Sequence, residues 1–164
     1  METYDLQLLP DEVIQKALKA IEIGQGLKVP PPMLFHGKAG TGKSSLAQWL
    51  GEQLCCEVLT IHCNNSKETN FISSIERFCS SVSLEKLGKQ GCSKLVIFDE
   101  MENLQRNGEI IRPLLDRFSK QHCWFIGTTN HLDKISDSTK SRFVQISFED
   151  GIDVRQMLLQ QQLN

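Results

Sequence analysis

The sequence predicts an α/β protein built on a central parallel β-sheet with helices on both faces. Segments with strand-like composition alternate along the chain with segments of helical periodicity, and this alternation is typical of parallel sheets. The central strand candidates are apolar throughout, as expected for strands that are covered on both sides. Ligands of such sheets bind at the carboxyl ends of the strands, so the residues that follow each strand are the candidates for function.

The first half of the chain contains three helix candidates and two strand candidates. Residues 9–24 have apolar side chains at helical spacing, and Pro10, Asp11 and Glu12 suit a helix start. The prolines in residues 26–32 interrupt regular structure. We then expect, in order, a strand at 33–36, a helix at 44–54, a strand at 57–62 and a helix at 67–82.

The second half continues the alternation and contains the most apolar segments. Residues 94–100, KLVIFDE, form a strand candidate that ends in two acids. A helical pattern covers residues 107–121, but Pro113 within it predicts that the helix starts late or bends. Strands at 123–130 and 143–148 and a last helix at 153–164 complete the pattern.

Composition indicates one globular domain and excludes several classes of protein. The 164 residues are 40% hydrophobic with a net charge of −2, which is ordinary for a globular domain and gives no general basic character. A local basic stripe for nucleic acid remains compatible with that total. No segment has the roughly 20 apolar residues of a membrane span, and we identify no signal peptide. We therefore expect an intracellular, cytoplasmic protein.

The cysteines show neither the spacing of a zinc site nor that of a disulfide framework. No C-x-x-C pair occurs among them, and both kinds of site would show regular spacing. We expect reduced thiols that pack as small apolar side chains. The six residues are Cys55, Cys56, Cys63, Cys79, Cys92 and Cys123.

A glycine-rich segment after the first strand candidate has a phosphate-binding pattern. Residues 37–44, GKAGTGKS, fit G-x-x-x-x-G-K-[ST], and the strand before and helix after argue against a chance match. Backbone N–H groups of such a loop and the positive end of the next helix point at phosphate oxygens. Lys43 is expected to reach the outer phosphates and Ser44 to ligate magnesium. The predicted nucleotide-binding residues are Gly37, Lys38, Ala39, Gly40, Thr41, Gly42, Lys43, Ser44 and Ser45.

Polar residues at three further strand ends complete a set for phosphoryl transfer. Asp99 is expected to hold magnesium and Glu100 to deprotonate the attacking water. The spacing of Glu102 favours a solvated residue at a helix start. Asn130 can orient the water or touch the γ-phosphate, with a turn asparagine as the alternative. Arg142 fits an arginine finger that reaches a neighbouring subunit's nucleotide, with a surface arginine as the alternative.

These elements together resemble the core of an AAA+ P-loop ATPase. The resemblance covers about residues 9–148, and the stretch from IIRPLLDRF to SRFVQISF looks most like clamp-loader ATPase subunits, especially those of tailed phages. It implies a three-layer sandwich whose parallel sheet has the strand order 5-1-4-3-2, with ATP and Mg²⁺ as ligands. It also implies Glu100 as base, Asn130 as sensor and Arg142 as finger in trans. Asn64 or Asn65 resembles the polar residue that restrains the base until DNA binds.

The resemblance also implies partners and a division of the chain. Clamp-loader subunits form oligomers in which ATP lies between subunits and drives a ring-shaped clamp onto primed DNA. We therefore expect other AAA+ subunits, primed DNA and a sliding clamp as partners, no membrane, and a bacterial or phage-infected cell as the setting. Residues 1–149 would form the nucleotide-binding core, and residues 150–164 a C-terminal helix or the start of a lid.

Some features depart from the family and leave other functions open. Phe143 replaces the cysteine that follows Ser-Arg in the family, and no Arg-Pro pair is evident near the start. The family's helical lid, with its second sensor arginine, and its collar are not recognised after residue 148. We therefore expect a fragment, a viral minimal form or a different small member of the superfamily. A superfamily 3 helicase core is one alternative, with a DNA-contacting hairpin at Asn107-Gly108. A degenerate ATP-binding scaffold is the other.

Overall fold

A computed structural model of the chain describes residues 30–54, 56–65, 71–81, 94–119 and 123–148, with the single positions 12, 13, 15 and 19. The backbone is helical at those four positions, as predicted for residues 9–24; the rest of that helix lies outside the described residues. The predicted helix at 153–164 and the division at residue 150 also lie outside them.

In the described part of the chain, five strands form one parallel sheet. Their order across the sheet, β2-β3-β4-β1-β5, is the 5-1-4-3-2 order that the family resemblance implied, and each strand agrees with the sequence prediction to within one residue at either end. Because β1 pairs with both β4 and β5, it lies inside the sheet. The strands are β1 (Met33–His36), β2 (Glu57–His62), β3 (Lys94–Asp99), β4 (Cys123–Thr129) and β5 (Val144–Ser147).

Helices alternate with the strands along the chain. Among the described residues, no helix is long and apolar enough to cross a membrane. The helix between β3 and β4 begins at Arg112 with Pro113 in its first turn, which confirms the predicted late start, because proline is tolerated where no helical N–H bond is lost. A four-residue helix before β5 was not predicted. The α-helices whose bounds lie within the described residues are α1 (Lys43–Gln53), α2 (Phe71–Ser80), α3 (Arg112–Phe118) and α4 (Asp137–Lys140).

The sheet is covered on both faces, as the apolar strands predicted. Successive strand residues point to opposite faces, so each inner strand contributes to two hydrophobic clusters. One cluster contains Leu46, Ala47 and Leu50 of α1, packed on Met33, Phe35, Leu95, Ile97, Trp124 and Ile126. The other contains Ile75 of α2 and Leu114, Leu115 and Phe118 of α3, packed on Leu34, Val96, Phe98 and Phe125.

Short helical turns occupy the segment between β3 and α3. Met101–Asn103 and Gln105–Ile111 are 3-10 turns, and Arg106, Asn107 and Gly108 have left-handed backbone angles. The Asn107 carbonyl accepts a hydrogen bond of 2.9 Å from the Ser136 N–H. Because of these left-handed angles the segment is not one continuous helix. Its described residues contain no strand, so they do not form the hairpin that a superfamily 3 helicase would place here.

Gly127 in β4 lets the turn after β3 approach the sheet closely. A Cβ atom at Gly127 would lie 2.1 Å from Met101 Sδ and 3.2 Å from Leu34 Cδ1. Met101 is fully buried and is flanked in sequence by Glu100 and Glu102. Any side chain at Gly127 would therefore have to displace the buried Met101 side chain.

We expect Gly127→Ala to lower the free energy of unfolding by about 1–3 kcal/mol, because a methyl group would overpack this contact. Chemical denaturation measures the loss. Met101→Ala removes the atoms that would clash, so the double variant should be less destabilised than the sum of the single variants. Strictly additive losses would show that Met101 does not impose the requirement for glycine.

Candidate functional site

The glycine-rich segment forms a tight loop between β1 and α1 at the carboxyl end of the sheet. Gly40 and Gly42 have φ angles of 77° and 90°, which side chains rarely adopt. The Gly37 N–H donates to the Thr129 carbonyl at 3.3 Å, so the start of the loop is joined to the end of β4. Gly42 directly precedes α1, so the helix N-terminus faces the inside of the loop, as anion binding requires.

The Lys43 side chain lies inside this loop. Its ammonium group donates to the Gly37 carbonyl at 3.0 Å, the Lys38 carbonyl at 2.6 Å and the Thr41 hydroxyl at 3.2 Å. Burial lowers the pKa of Lys43, and the charges of Glu102 and Asp99 oppose that shift. The loop therefore holds a cation, bonded to its own carbonyls, at the place where phosphates are expected.

Asp99 at the end of β3 binds side chains from two other segments. Its Oδ1 atom accepts hydrogen bonds from the Ser44 hydroxyl at 2.6 Å and the Thr128 hydroxyl at 2.7 Å. His62 Nδ1 lies 3.6 Å from Oδ2. The hydroxyl and carboxylate oxygens of Ser44 and Asp99 are ligands that Mg²⁺ prefers, so these two residues fit the predicted metal site.

Glu100 has a left-handed backbone, with φ 59° and ψ 56°. This conformation costs a non-glycine residue about 1–2 kcal/mol, and hydrogen bonds hold it in place. Its N–H donates to the Thr128 hydroxyl at 3.2 Å, and its carbonyl accepts from the Asn103 N–H at 3.1 Å. The strained turn starts the 3-10 segment and sets the direction of the Glu100 side chain.

Glu102 is bound to the end of β4, so the expected solvated position at a helix start is wrong. Its carboxylate accepts from the Thr129 hydroxyl at 2.8 Å and from the Asn130 N–H at 3.5 Å, and the side chain is half-buried. The donors come from a strand 27 and 28 residues further along the chain. Local spacing around Glu102 therefore could not reveal them.

The buried Cys63 thiol lies close to the acidic residues at this end of the sheet, and they affect its pKa. Burial raises the pKa of Cys63 to about 12, with further contributions from Asp99, Glu102 and Glu100 in that order. Cys63 starts the 3-10 turn Cys63–Asn65 after β2, and this turn contacts Met101–Asn103. Three carboxylates therefore lie near Cys63 at the carboxyl end of the sheet.

The predicted residues that restrain or sense the nucleotide lie at the same end of the sheet. Asn130 directly follows β4 and is half-buried, and its N–H binds Glu102. Asn64 is exposed within the turn after β2. The side chain of Asn65 lies outside the described residues. The structure therefore brings the loop, Asp99, Glu100 and Asn130 to the same end of the sheet. Sequence reasoning did not identify Thr128 and Thr129 as site residues, although both precede Asn130 in the stretch GTTN.

Arg142 lies at the opposite end of the sheet. It precedes β5, whose first residue Val144 pairs with Met33, the first residue of β1, whereas the phosphate loop follows the last residue of β1. Its Nε and Nη2 atoms donate to the Asp116 carboxylate at 2.7 and 3.2 Å, and Nη1 donates to the Ser138 carbonyl at 2.5 Å. The hydrogen bond to Asp116 raises the pKa of Arg142.

Curated relatives of similar sequence are replication proteins. Replication factor C small subunit 2 of Pyrobaculum aerophilum is 30% identical over 144 residues, which are 84% of this chain and 44% of that protein. The sliding-clamp-loader large subunit of Escherichia phage RB69 is 28% identical over 123 residues, 74% of this chain and 37% of that protein. This chain thus spans less than half the length of these relatives.

Solved structures show the same fold. The FIGL-1 AAA domain in complex with ADP has a TM-score of 0.70 at 18% identity and covers 99% of this chain and 61% of that one. The P216G mutant of Thermotoga maritima RuvB has a TM-score of 0.65 at 17% identity, with coverage of 87% and 46%.

A family model confirms the resemblance read from the sequence. The model described as "ATPase family associated with various cellular activities (AAA)" matches residues 33–150, which include the loop, both acids, Asn130 and Arg142. This match covers well over half of the 164 residues. The chain therefore belongs to the AAA family of ATPases.

Proposed function

We propose that the chain binds ATP with Mg²⁺ at the loop of residues 37–44, hydrolyses it, and works as one subunit module of a clamp-loading assembly on primed DNA. The observation that carries the proposal is the 2.6 Å contact between the Ser44 hydroxyl and Asp99. It joins the phosphate loop to the acidic strand end, as metal-assisted phosphoryl transfer requires.

Each residue then has a defined task in hydrolysis. Lys43, already inside the loop, exchanges its carbonyl partners for the outer phosphates. Mg²⁺, when bound, neutralises charge on the phosphate oxygens, and Ser44 and Asp99 hold it. Glu100 accepts the proton of the attacking water. Asn130 orients that water or the terminal phosphate from the end of β4.

Arg142 acts on a neighbouring subunit rather than on its own nucleotide. Its position at the other end of the sheet supports this role, since a finger must reach a phosphate directly. In the single chain its guanidinium is bound in a bidentate manner by Asp116, so a neighbour's phosphates would compete with that carboxylate. ATP would then bridge two subunits, and assembly would respond to nucleotide.

The clamp-loading role rests on the relatives and on the shape of the segment before α3. Replication factor C and phage clamp-loader subunits align with most of this chain. The described residues between β3 and α3 contain no strand, so the hairpin expected of a helicase has no support there. We also propose that residues 1–149 form the core and that residues 150–164 form a helix or the start of a lid.

Glu100→Gln should keep ATP binding and lose about 10²–10⁴-fold in hydrolysis rate, because an amide cannot accept the proton. Phosphate-release kinetics measure the rate, and calorimetry measures the binding. Glu102→Gln is the matched control: it keeps acceptor capacity toward Thr129 and should hydrolyse within a few-fold of wild type. If Glu102→Gln is the inactive variant and Glu100→Gln is active, the base is assigned to the wrong residue.

Primed DNA and a candidate sliding clamp should together raise the ATPase rate several-fold over the rate of the chain alone. A clamp loader couples hydrolysis to that complex, whereas a helicase would respond to DNA without a clamp and separate its strands. The measurement compares steady-state rates with DNA, with the clamp, and with both. Strand separation without any response to the clamp would contradict the clamp-loading role.

Two variants test the trans role within the same assay. Arg142→Ala should bind ATP normally, because the loop lies within one chain, but lose the stimulated hydrolysis. Lys43→Ala should not bind ATP. A mixture of the two inactive variants should regain partial activity at interfaces that pair an intact loop with an intact arginine. A mixture that stays inactive, while wild type is active and oligomeric, would refute the finger.

A further inference from the structure

Thr128 lies between the two acidic residues of the site and is almost fully buried, with 2% exposure. Its hydroxyl donates to Asp99 Oδ1 at 2.7 Å and accepts from the Glu100 N–H at 3.2 Å. The Thr128 hydroxyl therefore binds both the Asp99 carboxylate, which fits a metal ligand, and the backbone N–H of Glu100.

These two hydrogen bonds depend on each other. A hydroxyl has one proton to donate and lone pairs to accept, so the direction of the bond to Asp99 fixes the side that faces the Glu100 N–H. The bond to Oδ1 holds the Asp99 carboxylate at the orientation in which the same oxygen meets Ser44 at 2.6 Å. The bond from Glu100 holds a backbone with positive φ that would otherwise relax.

The neighbouring threonine shows that the arrangement is specific to one position. Side chains alternate along a strand, and the Thr129 hydroxyl donates to Glu102 instead of Asp99. Two successive threonines at the end of β4 thus bind two different acids. Thr129 is therefore a natural control, because it has the same chemistry and neighbourhood but a different partner.

We propose that Thr128 is a positioning residue for ATP hydrolysis, whose hydroxyl sets both the Asp99 carboxylate for magnesium and the Glu100 backbone for general-base catalysis. This inference rests on the proposed ATPase function. It predicts two separate defects when the hydroxyl is lost. One is weaker binding of Mg²⁺ with nucleotide, and the other is slower turnover at saturating Mg²⁺.

Thr128→Val and Thr128→Ser test the proposal by removing opposite parts of the side chain. Valine keeps the shape and loses the hydroxyl, whereas serine keeps the hydroxyl and loses the methyl group. We expect valine to raise the Mg²⁺ concentration for half-maximal binding of a fluorescent ATP analogue, and to lower kcat, by about 10–100-fold each. Serine should stay within about 3-fold of wild type in both measurements. If the valine variant does not fold, Thr128→Ala takes its place with the same expected result.

A structural role alone would give a different pattern. If serine is as impaired as valine, packing of the methyl group explains the effect and the proposal is overturned. It is also overturned if valine behaves as wild type, or if Thr129→Val shifts the Mg²⁺ dependence of nucleotide binding to the same extent. The binding measurement needs no turnover, so a wild type that binds Mg²⁺-nucleotide without hydrolysing it would refute the proposed ATPase and still show whether Thr128 positions Asp99.

Discussion

Hydrogen bonds to a single oxygen, Asp99 Oδ1, join three segments that are far apart in the sequence. Ser44 comes from the phosphate loop and Thr128 from β4, and they are separated from Asp99 by 55 and 29 residues. The strand order brings them together, because β4 lies between β1 and β3 in the sheet. A different strand order would separate the loop from Asp99. The site therefore depends on the strand order, and the hydrogen bonds of Ser44 and Thr128 to Asp99 connect the same segments.

The acidic turn after β3 is held in a strained form by its surroundings. Glu100 has a positive φ, and two hydrogen bonds and the buried Met101 keep it there. Met101 in turn needs the space that Gly127 leaves. Strain of this kind persists only where the surrounding structure over-determines it, and it occurs preferentially at functional sites. The packing of β4 therefore supports the backbone geometry on which the proposed chemistry depends.

The sequence predicted the parts of the molecule that local rules control. Strand-like composition located the five strands of the described residues, and Pro113 located the late start of α3, since both effects act within a few residues. Glu102 was misjudged because its partners lie at the end of β4 and directly after it, and spacing along the chain carries no information about them. The Arg142–Asp116 pair was missed for the same reason. Roles for Thr128 and Thr129 become visible only when the strand neighbours are known.

Calorimetric titration of the chain with ATP, with and without Mg²⁺, tests the central claim most directly, because the claim is one site formed by the loop and Asp99. The account predicts saturable binding that Mg²⁺ strengthens, and its near-complete loss in Lys43→Ala, whose loop lacks the buried ammonium group. Equal affinity in wild type and Lys43→Ala, or binding that Mg²⁺ leaves unchanged, would contradict it.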